Sequence, residues 1–284
     1  MTPPPDPGDR EGRSEEAEDT PDPGSPAALA ALLDRPAADA AAPLPPLLHW
    51  LCFRPRVPRG ELGPDGHPRT GGFLPPVELP RRMWGGGELA FAAPLRTGVP
   101  VHRTSVIARV RRREGRSGPL VLVTVDHTLR QNGASVLTER QDLVYRAAPT
   151  AAADAPGDAA GAEEEEQPPG RWRRSLVPDP VLLFQYSALT FNSHRIHYDR
   201  PYAREEEGYP GLVVHAPLTA TLLLDHYLRH RPAAHVTGFR FRAVRPAFDG
   251  HALVLHATPV PGGARLRAAD DRGRTVMSAE VDAV

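Results

Sequence analysis

Two segments decide how this chain is read: Thr190-Phe191-Asn192-Ser193-His194-Arg195-Ile196-His197-Tyr198-Asp199 and, shortly after it, Gly211-Leu212-Val213-Val214-His215-Ala216-Pro217-Leu218. An amide (Asn192), two imidazoles (His194, His197) and a carboxylate (Asp199) fall within eight residues, with apolar sequence at 181–189 before them and 211–224 after. Titratable side chains concentrated between two apolar elements mark a catalytic loop held by buried secondary structure. The rest of the chain then reads as scaffold.

Working outward, Asp179 is a candidate N-cap with Pro180 at the first helical position, which predicts a helix over 180–190. A helical turn is expected near 202–207, with Asp199 as its cap, and an apolar helix over 218–230. Strands are expected at 234–244, 251–259, 264–269 and 274–281, broken by Asp249-Gly250, Gly262-Gly263 and Arg272-Gly273. Upstream, 99–111, 119–129 and 136–146 are rich in Val, Leu and Thr, and Asn132-Gly133 between the last two is a hairpin signal. The Pro- and Gly-rich stretch 54–87 reads as loop packed against something specific.

Residues 1–26 have little to bury and read as a disordered tail. Residues 147–170, with the Glu163–Glu166 block, read as a disordered acidic linker. Two α+β domains follow, 27–146 and 171–284, each an antiparallel sheet wrapped round a helix, although the first half shows no obvious long one.

Composition narrows the chemistry. All 34 basic residues are arginine, so Schiff-base and pyridoxal chemistry and Walker-type phosphate loops are excluded. Any anionic ligand must be met by Arg, His, backbone amides or helix N-termini. One cysteine, Cys52, excludes a disulfide framework and a thiolate metal site. A net charge of −1 predicts neither nucleic acid nor an anionic membrane as partner. No apolar run approaches the roughly 18 residues of a membrane span, and the acidic, Pro-rich start is unlike a signal peptide. The expectation is a cytoplasmic protein.

The second half resembles the MaoC-like family of enoyl-CoA hydratases and 3-hydroxyacyl-thioester dehydratases, whose fold is the hotdog. The family's Asp-x-Asn-x-x-His loop is matched by Asn192-Ser193-His194-Arg195-Ile196-His197, with Asn192 in the acidic position, and its Gly-x-x-x-His-Gly segment by Gly211 to Ala216. The chain resembles most the double-hotdog branch that includes mesaconyl-C4-CoA (3-methylfumaryl-CoA) hydratases and mitochondrial-type dehydratases. Asp65-Gly66-His67-Pro68, Gly72-Phe73-Leu74-Pro75-Pro76 and Pro80-Arg81-Arg82-Met83-Trp84 carry that likeness in the first half.

The resemblance implies a tandem hotdog with a degenerate N-terminal copy, and reversible addition of water across an α,β-unsaturated acyl-CoA. 3-Methylfumaryl-CoA, giving citramalyl-CoA, is the most specific substrate it implies. A 3-hydroxyacyl-thioester dehydratase is the alternative, and a non-catalytic acyl-CoA-binding protein the alternative of another class. On this view His197 moves the proton, with an imidazole near its ordinary pKa of roughly 6.5. Asn192 orients the water, and the backbone N–H of Ala216 at a helix start stabilises the thioester enolate.

Arg81, Arg82 and Arg195 are candidate contacts for CoA phosphates or a substrate carboxylate, with plain core-and-surface alternation the alternative for the first two; His194 and His215 are candidate substrate-side groups, with a structural hydrogen bond in the loop and a packed position behind the catalytic groups as their respective alternatives. A metal reading of His194, His197 and Asp199 lacks a His-Glu-x-x-His pattern and cysteine ligands, so no metal and no cofactor beyond the CoA of the substrate is expected. A fused hotdog pair is expected as a monomer or homodimer.

Overall fold

A computed structural model describes residues 6–36, 42–115, 118–147 and 172–284. Ten strands form one antiparallel sheet. The first half supplies β1 (Ser14–Asp19), β2 (Arg81–Phe91), β3 (Val101–Gly115), β4 (Gly118–Gln131) and β5 (Ala134–Arg146). The second supplies β6 (Trp172–Leu176), β7 (Val236–Ala243), β8 (Leu253–Val260), β9 (Gly263–Ala269) and β10 (Thr275–Ala283). Their order is β1-β3-β4-β5-β2-β7-β10-β9-β8-β6, so the halves meet where β2 pairs with β7.

The helices are α1 (Ser25–Leu32), α2 (Pro180–Thr190), α3 (Arg200–Glu205) and α4 (Ala216–His230). Ten consecutive residues of α4, Leu218 to Tyr227, are buried, the helix packing on β8, β9 and β10 while arginines cover Asp225. Among the described residues the first half has no counterpart of that length. In its place stand α1, eight residues long, and a 3-10 turn at Leu48–Leu51, both packed towards α2.

Burial along β4 alternates with the two-residue period of a strand, and its odd-numbered residues share one face. Val121, Val123 and Val125 pack with Ile107 and Tyr145 beneath Phe73, Leu74 and Leu79, while Leu129 reaches the main core. The irregular stretch read as 54–87 therefore lids that outer cluster before it becomes strand β2 at Arg81.

Two expectations change. Residues 6–26 are not a disordered tail: Ser14–Asp19 is the edge strand β1, in register with β3 from Ser14↔Val106 to Asp19↔Val101. Ladder hydrogen bonds need no apolar side chains, and the acidic groups are put to use. Asp19 Oδ2 accepts from the Phe53 amide at 2.6 Å, and Glu11 Oε1 from that of Val110 at 2.6 Å. Strand β2 also replaces the end of the expected loop. The expected linker at 147–170 lies, apart from Ala147, outside the described residues, as do residues 1–5.

Candidate active site

The loop is hung between two capped helices. Asp179 caps α2, its Oδ1 accepting from the Leu182 amide at 2.8 Å. Phe191, at φ 52°, ends the helix in the left-handed region, and the Asn192 amide turns back to the Ser187 carbonyl at 2.9 Å. Asn192 Oδ1 then accepts from the His194 amide at 3.0 Å, which leaves its second lone pair uncommitted. Asp199 caps α3, as the sequence predicts, through Tyr202 N at 3.2 Å.

His197 occupies a 3-10 turn at Arg195–His197 and is buried. Its Nδ1 lies 2.7 Å from the Val213 carbonyl oxygen, an acceptor only, so Nδ1 carries the proton and Nε2 the lone pair. Burial pushes its pKa down to about 3; the Val213 bond opposes this and the nearby His67 adds to it. The expectation of an ordinary imidazole pKa is thus corrected, because a fully enclosed ring without a carboxylate loses the hydration that favours its charged form. His215 stacks on His197, ring centroids 3.6 Å apart, and its Nε2 is 2.9 Å from Ser187 Oγ. At 1 % exposure His215 is packed against His197, the second of the two positions the sequence leaves open for it. Burial, followed by its imidazole neighbours, holds His215 and His194 below the usual histidine range.

Ala216 is the first residue of α4, where amides have no partner within the helix, and it is not among the residues with positive φ. Alanine therefore meets no left-handed backbone strain there.

The N-terminal half reaches this loop through 63–68. The Arg195 amide donates to Asp65 O at 2.8 Å, Ser193 Oγ to Gly66 O at 2.6 Å, and Arg195 Nη1 to Pro64 O at 3.1 Å. Asp65 Oδ2 is 3.1 Å from His67 Nδ1, and the His67 ring lies 4.0 Å from that of His194. A file of imidazoles, His67, His194, His197 and His215, thus crosses from one half to the other. Sequence reasoning gave Asp65 and His67 no role at the site. The signal was there in two titratable residues within a Gly/Pro-rich loop, but nothing local says which loop they meet.

The arginines separate by their partners. Arg195 is committed to Asp199 Oδ2 through Nε (2.9 Å) and Nη2 (2.8 Å), and covers the Tyr202 ring at 4.0 Å. Arg81 is committed to Glu207 through Nε at 2.9 Å and to its carbonyl, above the Tyr209 ring. Both therefore brace the loop's surroundings through carboxylates of the chain itself. Arg82 lies beside Tyr145 and close enough to Asp65, His67 and His194 to lower the proton affinity of each.

The trio considered for a metal is not gathered, since Asp199 faces Arg195 and His197 Nδ1 is committed to a carbonyl. Asp65, His67 and His194 do bring ligand-type atoms within 4.8 Å of one another. Asp65 already accepts from the His67 amide and ring, and Arg82 adds positive charge, so the cluster is built as a hydrogen-bonded dyad.

The chain and its fold are similar to those of known proteins. The chain is 46 % identical over 275 residues, 95 % of both sequences, to mesaconyl-C(4)-CoA hydratase of Chloroflexus aurantiacus. It is 27 % identical to the mitochondrial hydroxyacyl-thioester dehydratase type 2 of Schizosaccharomyces pombe, over 74 % of this chain and 76 % of the relative. Its fold matches the crystal structure of HtdX from Mycobacterium tuberculosis with a TM-score of 0.67 at 19 % identity, over 96 % of this chain and all of that one. A second Mycobacterium tuberculosis structure, described as a double hotdog, matches with a TM-score of 0.58 at 18 % identity, over 96 % of each chain. The model of hydroxyacyl-thioester dehydratase type 2 matches residues 47–249, and with these likenesses it shows that the chain belongs to that hotdog-fold family.

Proposed function

We propose that this protein is a hydro-lyase that reversibly adds water to an α,β-unsaturated acyl-CoA, with 3-methylfumaryl-CoA (mesaconyl-C4-CoA) hydrated to citramalyl-CoA. The observation that carries the reading is the tautomer of His197: with Nδ1 held by Val213 O, Nε2 offers a lone pair from a rigid ring between His194 and His215. The 46 % identity to a mesaconyl-C(4)-CoA hydratase supports the substrate.

In this reading Asn192 Oδ1 accepts one hydrogen bond from the water. His197 Nε2 takes a proton from that water as its oxygen bonds to the β-carbon. The electron pair of the double bond moves onto the thioester as an enolate, which the Ala216 N–H and the start of α4 stabilise. The imidazolium returns the proton to the α-carbon on the same face. A ring with a pKa of about 3 is a weak base in the empty site. The enolate charge forming beside it raises its proton affinity, so proton transfer is coupled to attack. Arg82 is the remaining arginine available to a CoA phosphate. The protein would act in the cytoplasm as a monomer or homodimer, with no cofactor apart from the CoA of its substrate.

The similarity to a mitochondrial dehydratase favours a second reading, dehydration of 3-hydroxyacyl thioesters with longer chains. A panel of C4, C5 and long-chain enoyl-CoAs, followed by loss of enoyl-thioester absorbance, separates the two. The carboxylate-bearing C5 substrate is expected to give the highest kcat/KM. Faster turnover of an unsubstituted long-chain enoyl-CoA would replace this reading with the second.

A further inference from the structure

In the catalytic loop the one carboxylate, Asp199, is bound by Arg195, and His197 Nδ1 is held by a carbonyl. A carboxylate does approach from the N-terminal half. Asp65 Oδ1 accepts from the His67 amide at 3.0 Å, and its Oδ2 lies 3.1 Å from His67 Nδ1, with both side chains largely buried. Burial raises the proton affinity of the Asp65 carboxyl, but the hydrogen bonds and charge of His67, helped by Arg82, outweigh it and hold the group below the usual carboxylate range. An ionised carboxylate only accepts, so Nδ1 of His67 carries the proton and Nε2 is bare. Burial, opposed by the Asp65 hydrogen bond, keeps His67 below its ordinary value, so near neutral pH the pair is a carboxylate beside an uncharged ring.

That negative charge stands at the head of the imidazole file. A carboxylate oxygen of Asp65, a ring nitrogen of His67 and a ring nitrogen of His194 all lie within 4.8 Å of one another. The His67 and His194 ring centroids are 4.0 Å apart, and those of His194 and His197 5.4 Å. Bonds on either side of His194 fix the approach, Ser193 Oγ donating to Gly66 O and the Arg195 amide to Asp65 O. The other charged or titratable groups against the file are Arg82, which opposes Asp65, His215 on the far side of His197, and Tyr202 near Asp65.

We propose that Asp65 and His67 are a positioning pair for the acid–base step, acting through His194 on His197 and supplying from the other half the carboxylate that the loop lacks at Asn192. The inference rests on the acyl-CoA hydration reading above and adds the groups that ease its proton transfer. As His197 Nε2 takes the proton of the attacking water, a cation forms in a file that begins at Asp65, and the attraction between them lowers the barrier. The effect ends when the proton passes to the α-carbon. A negative charge roughly 10 Å from a forming cation, at an effective dielectric of about 20, changes a rate about tenfold. Protonation of His67 in acid cancels the effect, and its charge then works against a proton on His197.

The test is Asp65→Asn in the full-length protein, assayed with the enoyl-CoA that the wild type hydrates fastest. An amide oxygen carries no net charge, and the asparagine can accept from only one of the two N–H groups that Asp65 binds. Its kcat should fall about tenfold with KM nearly unchanged. The acid limb of kcat/KM should move to lower pH, because loss of a negative charge lowers the proton affinity of His67, His194 and His197 together. A merely structural defect would slow the enzyme and leave the limb in place, so an unmoved limb or a wild-type kcat overturns the assignment. In the wild type, imidazole nitrogen NMR shifts near neutral pH should show His67 protonated at Nδ1 and bare at Nε2. A bare Nδ1 overturns the pairing whether or not the variant folds. That measurement needs no turnover, so a wild type that hydrates no enoyl-CoA would sink the proposed activity while the pairing is still read.

Discussion

Replacing Gly66 with alanine tests whether the N-terminal half holds the loop that carries His197. Gly66 has φ +88°, and an added Cβ would lie 2.0 Å from the Ser193 carbonyl oxygen and 2.9 Å from its carbon. Real Cβ contacts do not fall below 3.0 Å, so the Ser193 carbonyl must retreat by about 1 Å. Two hydrogen bonds, Ser193 Oγ to Gly66 O and the Arg195 amide to Asp65 O, are disturbed with it. The left-handed conformation costs alanine about 1–2 kcal/mol, and the two bonds about 1 kcal/mol each. A 1 Å misplacement of catalytic groups costs about 100-fold in rate.

Gly133 supplies the control. Its φ is +79°, but nothing lies within 4 Å of the added Cβ. Gly133→Ala should therefore lose about 1–2 kcal/mol with kcat nearly unchanged. Gly66→Ala should lose about 3–4 kcal/mol and about 100-fold in kcat, both measured well below the midpoint of unfolding. Urea denaturation and enoyl-CoA hydration at saturating substrate provide the two readouts. If Gly66→Ala keeps the kcat of Gly133→Ala, the contact between the halves does not set the catalytic geometry.

Asn192→Asp is expected to remain active, because either side chain can accept from the His194 amide and from water. Its carboxylate should move the acid limb of kcat/KM upward by raising the proton affinity of His197, and an unmoved limb would place residue 192 away from that ring. Stability should fall on acidification. With a folded pKa of about 3 against roughly 6.5 unfolded, His197 binds its proton first in the unfolded chain, so its contribution is complete above pH 6.5 and is lost towards pH 3. It alone removes about 2 kcal/mol between pH 6.5 and 5; His194 and His215 shift in the same direction, and urea midpoints unchanged over that range would contradict the buried neutral rings. Asp225, 4 % exposed at its side chain, accepts from Arg35, Arg174 and Arg229, so Asp225→Asn should cost about 3–5 kcal/mol in thermal or urea unfolding. A loss below about 1 kcal/mol would show those ion pairs to be solvated rather than structural.

Local signals carried much of the fold. Asp179 before Pro180, Asn132-Gly133 and the period-two strands each lie within a few residues of what they specify, and the elements form there. Strand β2 was hidden because Gly85-Gly86-Gly87 reads as loop. A Cβ on Gly86 would lie 2.7 Å from Phe241 O, and one on Gly87 2.8 Å from Arg140 O, so glycine is required where β2 passes between β5 and β7. Strand β1 was hidden for a different reason: Ser-Glu-Glu-Ala-Glu-Asp has no apolar face, and its evidence lies about 90 residues away in β3. At the site, the loop and the helix start were legible as contiguous motifs. The commitment of Arg81 to Glu207 and the approach of Asp65 and His67 were not, because each depends on a partner distant in sequence.

The most direct measurement compares 3-methylfumaryl-CoA hydration by the wild type and by His197→Gln, alongside the calorimetric affinity of each for an unreactive acyl-CoA. The account predicts a fall in kcat of at least about 1,000-fold with affinity unchanged. A glutamine variant that hydrates the substrate at a wild-type rate would show that the proton travels by another group.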